Sequence, residues 1–176
     1  MADTVYLKEI VLTTKGQPTK LFSALVAKDV SKIYSRAYLP ADLDISATPA
    51  WTEIVCTTEV SDNGLNYSIA TGRFTCPVAG IYLVETLVGC KVKDDSQTLV
   101  ACYTALGING AVSIYGNSFY GSEMFVFRAN NFFIYPASAG TKLSPFIYAV
   151  ESAASQPTIL GGIDDSRFTV TLLHTT

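Results

Sequence analysis

Residues Thr71-Gly72-Arg73-Phe74-Thr75-Cys76-Pro77-Val78-Ala79-Gly80-Ile81-Tyr82 (TGRFTCPVAGIY) decide how the rest of the chain is read. Gly72 and Gly80 offer turn geometry that a Cβ would hinder, and Pro77 sets a bend that starts the next strand. Phe74 and Tyr82 are large rings that favour burial. From Ile81 to Val88 (IYLVETLV) the chain is nearly all apolar, as expected of a strand covered on both faces. By alternation, Tyr82, Val84 and Thr86 share one face of that strand, and Ile81, Leu83, Glu85 and Leu87 share the other.

Short strands and turn signals extend outward in both directions. Upstream, Trp51 to Val60 is rich in β-branched residues and ends at Ser61-Asp62-Asn63-Gly64, a strong turn signal; Tyr67 to Cys76 then carries a turn at Thr71-Gly72. Downstream, Thr98 to Ile108, Asn109-Gly110 and Ala111 to Tyr115 read as a hairpin, because Asn-Gly suits the positive dihedrals of a tight turn. Phe125 to Tyr135, Lys142 to Val150 and Arg167 to His174 complete the strands, with a loop expected at Glu151 to Gly162. Regular strands with turn punctuation predict an antiparallel sandwich or barrel. Nearer the start, Val5 to Thr13 and Leu21 to Ala27 flank Lys15-Gly16-Gln17-Pro18 and suit a hairpin. Phe22, Val26, Val30, Ile33 and Ala37 also fall at helical spacing, so helix and strand stay open for residues 20–38. Pro40 and Pro49 suggest a linker. The expected division is an N-terminal attachment segment, residues 1–45, followed by a β domain, residues 46–176.

Composition narrows the class. Of 176 residues, 49% are hydrophobic and only 15% charged, which excludes intrinsic disorder. Net charge is -3 with no basic stripe, so no nucleic-acid partner is expected. No apolar run reaches the length of a membrane span. One histidine leaves little room for acid–base or metal chemistry, while 10 Tyr and 9 Phe favour sheets and interfaces. The opening Met1-Ala2-Asp3-Thr4 has no basic n-region or apolar h-region, so no secretory signal is read: either one has been removed, or the protein is made and used without crossing a membrane. Cys56, Cys76, Cys90 and Cys102 show no CxxC spacing. Their even number permits two disulfides, and four buried thiols suit synthesis in a cytoplasm.

Asp62, Tyr67, Thr71-Gly72, Phe74, Pro77, Gly80 and Tyr82 together resemble the signature of the C1q-like domain of the C1q/TNF superfamily. Asn109-Gly110 is similar to that family's central hairpin. Ala139-Gly140-Thr141-Lys142-Leu143 resembles its late turn, and Phe168 to Leu173 its closing strand. Cys56, Val84, Thr86 and Val170 depart from the pattern. Thr141 replaces the Asp of the late turn, so no calcium site is carried over. The resemblance implies an all-β antiparallel jelly roll that assembles as a homotrimer. On that reading Leu83, Glu85 and Phe168 lie toward the trimer interface, while the competing arrangement packs all three within one subunit.

Candidate chemistry is sparse. His174 reads as a strand-end or surface imidazole rather than part of a triad. Asp94-Asp95 and Asp164-Asp165 read as solvated loop caps. No P-loop, dinucleotide fingerprint or nucleophile elbow occurs, so neither an enzyme nor a cofactor is expected. Gly116 to Gly121 read as an aromatic connecting loop, on which Asn117, Phe119 and Tyr120 are candidates for recognition. The resemblance extends to C1q-like knobs and decoration proteins on phage particles. The expectation is therefore a virion structural protein: a capsid decoration, head-fibre or spike component at the virion surface, bound to a major capsid or other virion protein through residues 1–45. The alternative is a receptor- or glycan-binding module that engages a host-surface ligand, with an extracellular location.

Overall fold

A computed structural model describes residues 12–14, 17–19, 33–46, 48–94, 96–152 and 156–176. All regular structure among them is β-strand. A small hairpin, β1 (Leu12–Thr14) with β2 (Gln17–Thr19), forms where the turn signal at residues 15–18 predicts one. The longer flanks, residues 5–11 and 21–27, and the helical candidates Phe22, Val26 and Val30 lie outside the described residues.

The remaining strands form two sheets packed face to face. One contains β5 (Thr52–Glu53), β7 (Tyr67–Ser68), β8 (Arg73–Thr75), β10 (Leu99–Ile108), β11 (Ala111–Met124) and β13 (Lys142–Glu151), in the order β11-β10-β13-β8-β7 with β5 also on β13. The other contains β3 (Tyr34–Tyr38), β4 (Leu43–Asp44), β6 (Thr58–Asn63), β9 (Gly80–Lys91), β12 (Val126–Ala137), β14 (Thr158–Ile159) and β15 (Arg167–Thr175). Here β9 is central, with β12 on one side, and β15, β3 and β6 following on the other. The pairings are antiparallel and join strands distant in sequence, giving a jelly roll.

Local chemistry explains the motif. Gly72 sits at φ +68°, and a Cβ there would lie 2.7 Å from Val55 Cα. Gly80 serves a different purpose from the expected turn. It opens β9, and a Cβ on it would lie 2.4 Å from the His174 carbonyl oxygen, so its role is to let β15 approach. Phe74 and Tyr82 are fully buried and meet edge to face at 6.0 Å between centroids. The Tyr82 hydroxyl donates to the Val78 carbonyl at 2.7 Å. Asp62 Oδ2 accepts from the Tyr67 backbone N–H at 2.8 Å, and the Tyr67 hydroxyl donates to the Cys56 carbonyl at 2.8 Å. The Asp and Tyr of the signature therefore tie together the turn between β6 and β7.

Three expectations change. The stretch from Trp51 to Val60 is not one strand: β5 pairs with β13 and β6 with β3, so the chain crosses between sheets at residues 54–57. The division at residue 45 falls inside the sandwich. Strand β3 lies between β15 and β6, Ala37 is fully buried, and β4 pairs with β14 between the two prolines read as a linker. The pairing gives Tyr34–Tyr38 strand geometry, which resolves the described part of residues 20–38. Finally, the expected loop at residues 116–121 belongs to β11, which continues to Met124.

The four cysteines are buried free thiols. Burial pushes both Cys56 and Cys76 up to about 12, and Cys102 is raised by its contact with Cys90 and by burial. A thiolate is the reactive form. The native chain should therefore label far more slowly with a thiol reagent at pH 8 than the denaturant-unfolded chain, in which all four react. Fast stoichiometric labelling of the native chain would contradict this packing.

Candidate functional site

The outward faces of the two sheets carry the surface features that bear on function. On β9 the inner side chains Tyr82, Val84 and Thr86 are buried, and Ile81, Leu83, Glu85 and Leu87 are half-buried on the outside. Directly opposed residues in an antiparallel pair share a face. One outer row therefore runs Ile134, Leu83, Thr171, Tyr34, and the next runs Phe132, Glu85, Thr169, Arg36. Phe132 is 63% exposed and Ile134 70%, both on β12. Between the second row and its neighbour, Glu85 Oε1 accepts from Arg167 Nη2 at 2.7 Å, so these two charges are paired with each other.

Register separates the three interface candidates. Leu83 and Glu85 lie on the outward face. Phe168 pairs with Thr86, shares its inward face, and is 1% exposed. Its ring lies 6.2 Å from that of Tyr67. Phe168 is a core residue. Phe132 and Ile134 share a face with Val126, Arg128 and Asn130, so alternation marks that set as outward; what it does not give is the place of that face beside Leu83 and Glu85.

The recognition candidates divide in the same way. Phe119 points inward, 6.5 Å from Phe127. Asn117 lies where β11 slips register against β10, between the Ser118↔Tyr103 and Tyr115↔Ala105 pairs. Its side chain donates to the Asn130 carbonyl at 3.0 Å, and its backbone N–H to Asn131 Oδ1 at 2.6 Å. Buried Asn131 also donates to Thr104 Oγ1 at 2.9 Å and Thr86 Oγ1 at 3.3 Å, linking the sheets across the core. Such a network tolerates no half-satisfied member. The signal for it was an asparagine, Asn131, on the face of the strand that otherwise carries Phe127, Ala129 and Phe133, where asparagine is disfavoured. Of the three candidates, Tyr120 alone presents its ring to solvent, at 80% exposure.

Tyr120 borders a groove on the outward face of the β10–β11–β13 sheet. Trp51 enters it beside β5, Tyr103 comes from β10, Tyr115 from β11 and Tyr148 from β13. The rings form a series, Tyr103 to Tyr148 to Trp51 to Tyr115, with each pair of centroids 5.7 Å apart and interplanar angles of 62°, 50° and 52°. Ala101 and Val150 contribute to the floor of a hollow of about 410 Å³. Sequence reading missed the cluster because its rings come from four separate segments.

Elsewhere, Glu53 accepts two hydrogen bonds from the Arg73 guanidinium, both at 2.7 Å. Burial alone would raise Glu53, but that guanidinium holds it below its ordinary value. The pair joins β5 to β8. Asp94 caps the backbone N–H of Ser96, and Asp165 pairs with Arg128, so these carboxylates act locally. His174 is exposed. Among the described residues no group of three or more His, Cys, Asp or Glu is placed to hold a metal ion, and no helix is long and apolar enough to cross a membrane.

Among solved structures, the chain is similar to the globular domain of zebrafish complement 1qA protein, with a TM-score of 0.57 and 14% identity over 82% of this chain and all of that one. The fold is a C1q/TNF-like jelly roll. Eiger TNF from S. frugiperda matches with a TM-score of 0.55 at 13% identity, covering 82% of this chain and 94% of its own. Murine APRIL at pH 5.0 gives 0.54 at 11%, covering 79% and 98%. No family model matches the sequence, and no curated protein is similar to it in sequence. Within this C1q/TNF-like jelly roll, Phe74 and Tyr82 pack in the core and Gly80 lets β15 approach β9.

Proposed function

We propose that the chain is a non-enzymatic homotrimeric module displayed on a virus particle, as a capsid decoration, head-fibre or spike protein. The observation that carries the trimer is the outward face of the β9 sheet. Phe132 and Ile134 stand exposed beside half-buried Leu83, and the nearby charges of Glu85 and Arg167 are already paired. Exposed apolar side chains beside a paired Glu85 and Arg167 suit contact between subunits. Residues ahead of β3 are the attachment segment in this reading, since residues 34–45 belong to the sandwich. Three weak anchors on one trimer raise avidity toward a capsid or other virion protein without a strong individual contact.

Light scattering of the whole chain at micromolar concentration tests the assembly, with about three times 18.9 kDa expected. A monomer removes the trimer. Deleting residues 1–32 tests the anchor: the trimer should persist while particle association is lost. Retained association sinks the attachment role.

A second reading, recognition of a host-surface ligand by an extracellular module, is favoured by the aromatic groove on the opposite sheet. Occupation of one outer face of a two-layer sandwich leaves the other free, so the two roles are compatible.

A further inference from the structure

We propose that the groove bounded by Trp51, Tyr103, Tyr115, Tyr120 and Tyr148 is a binding site for a neutral saccharide; the inference rests on the recognition reading and gives it a site and a ligand class. The hollow of about 410 Å³ lies within the roughly 300–1,000 Å³ range of small-molecule sites.

The lining selects the chemistry. It contains no charged side chain, so a phosphate, carboxylate or ammonium group would lose hydration there without gaining an opposite charge. What the groove does offer is aromatic surface with polar tips: phenol hydroxyls that donate and accept, and an indole N–H that donates. A pyranose ring has the complementary character, with a face of C–H bonds and a rim of hydroxyls.

The rings are also held ready. Tyr103, Tyr148, Trp51 and Tyr115 brace one another at 5.7 Å spacings, the three tyrosines on the paired strands β10, β13 and β11 and Trp51 just ahead of β5. Little ordering entropy remains to be lost on binding, which favours affinity. Tyr120 closes one side while remaining 80% exposed, and Tyr115 is also exposed, so a ligand lying against these rings would cover apolar surface that is now wet.

Trp51 is the sole tryptophan of the chain, so intrinsic emission reports on this groove. The whole chain is titrated with maltotriose, triacetylchitotriose and N-acetyllactosamine, with decaproline and tetramethylammonium as competing ligand classes. At least one saccharide should change the emission saturably. Tyr120→Ala should weaken that binding about tenfold or more, while far-UV circular dichroism and solution mass stay unchanged. Saturation by none of the saccharides overturns the proposal. So does equal binding by Tyr120→Ala, or saturation by decaproline or tetramethylammonium instead of sugars. Because solution mass is read in parallel, loss of the trimer and failure of the saccharide site are separate results.

Discussion

Phe168→Ala should lower folding stability by about 3–5 kcal/mol, the range for truncating a buried phenylalanine. The ring is 1% exposed, sits on the inward face of β15 with Val170 and Leu172, and packs 6.2 Å from Tyr67. Few side chains could refill the space, because the flanking β9 and β3 backbones are held by their ladders. A loss of that size is a third or more of the stability of many domains. Urea unfolding followed at several protein concentrations is the measurement. A core residue lowers the midpoint by a similar amount at every concentration. A residue whose only contacts were between subunits would act through assembly, so its effect would change on dilution. The second pattern would return Phe168 to the subunit interface.

If the chain assembles as proposed, the double variant Phe132→Asp, Ile134→Asp should leave an 18.9 kDa monomer with an intact sandwich. Both side chains point outward from β12 and are more than half exposed in the single chain, so the core does not depend on them. In a trimer each would be covered, and burying a large apolar side chain contributes about 1.5–3 kcal/mol. The change removes that contribution in every subunit and places like charges together at the contact. Light scattering reads the mass, and far-UV circular dichroism confirms the fold. A variant that remains trimeric would show that the subunits meet elsewhere.

The candidate sites were legible in the sequence to different depths. Alternation from Ile81 to Leu87 correctly separated Tyr82, Val84 and Thr86 from Leu83, Glu85 and Leu87, because side-chain direction in a strand is a local property. The same logic could not relate β15 to β9. Placing Phe168 required knowing that it pairs with Thr86 rather than with Glu85, and a one-residue change of register reverses the face. The attachment boundary failed for a related reason. Two prolines and an ambiguous periodicity around residues 33–45 carry no information about a strand added to a sheet by residues more than a hundred positions away.

By itself the sequence determined the β class, the Asn109-Gly110 hairpin and the packing role of Phe74 and Tyr82, all of which follow from turn dihedrals, alternation and ring burial within short windows. It also contained the rings of the groove, but as isolated aromatics at Trp51, Tyr103, Tyr115, Tyr120 and Tyr148. Only the tertiary structure decided that they gather on one outward face while Phe132 and Ile134 mark the opposite one. The physical reason is that a jelly roll pairs strands far apart in the chain, so the make-up of each face is set by non-local register.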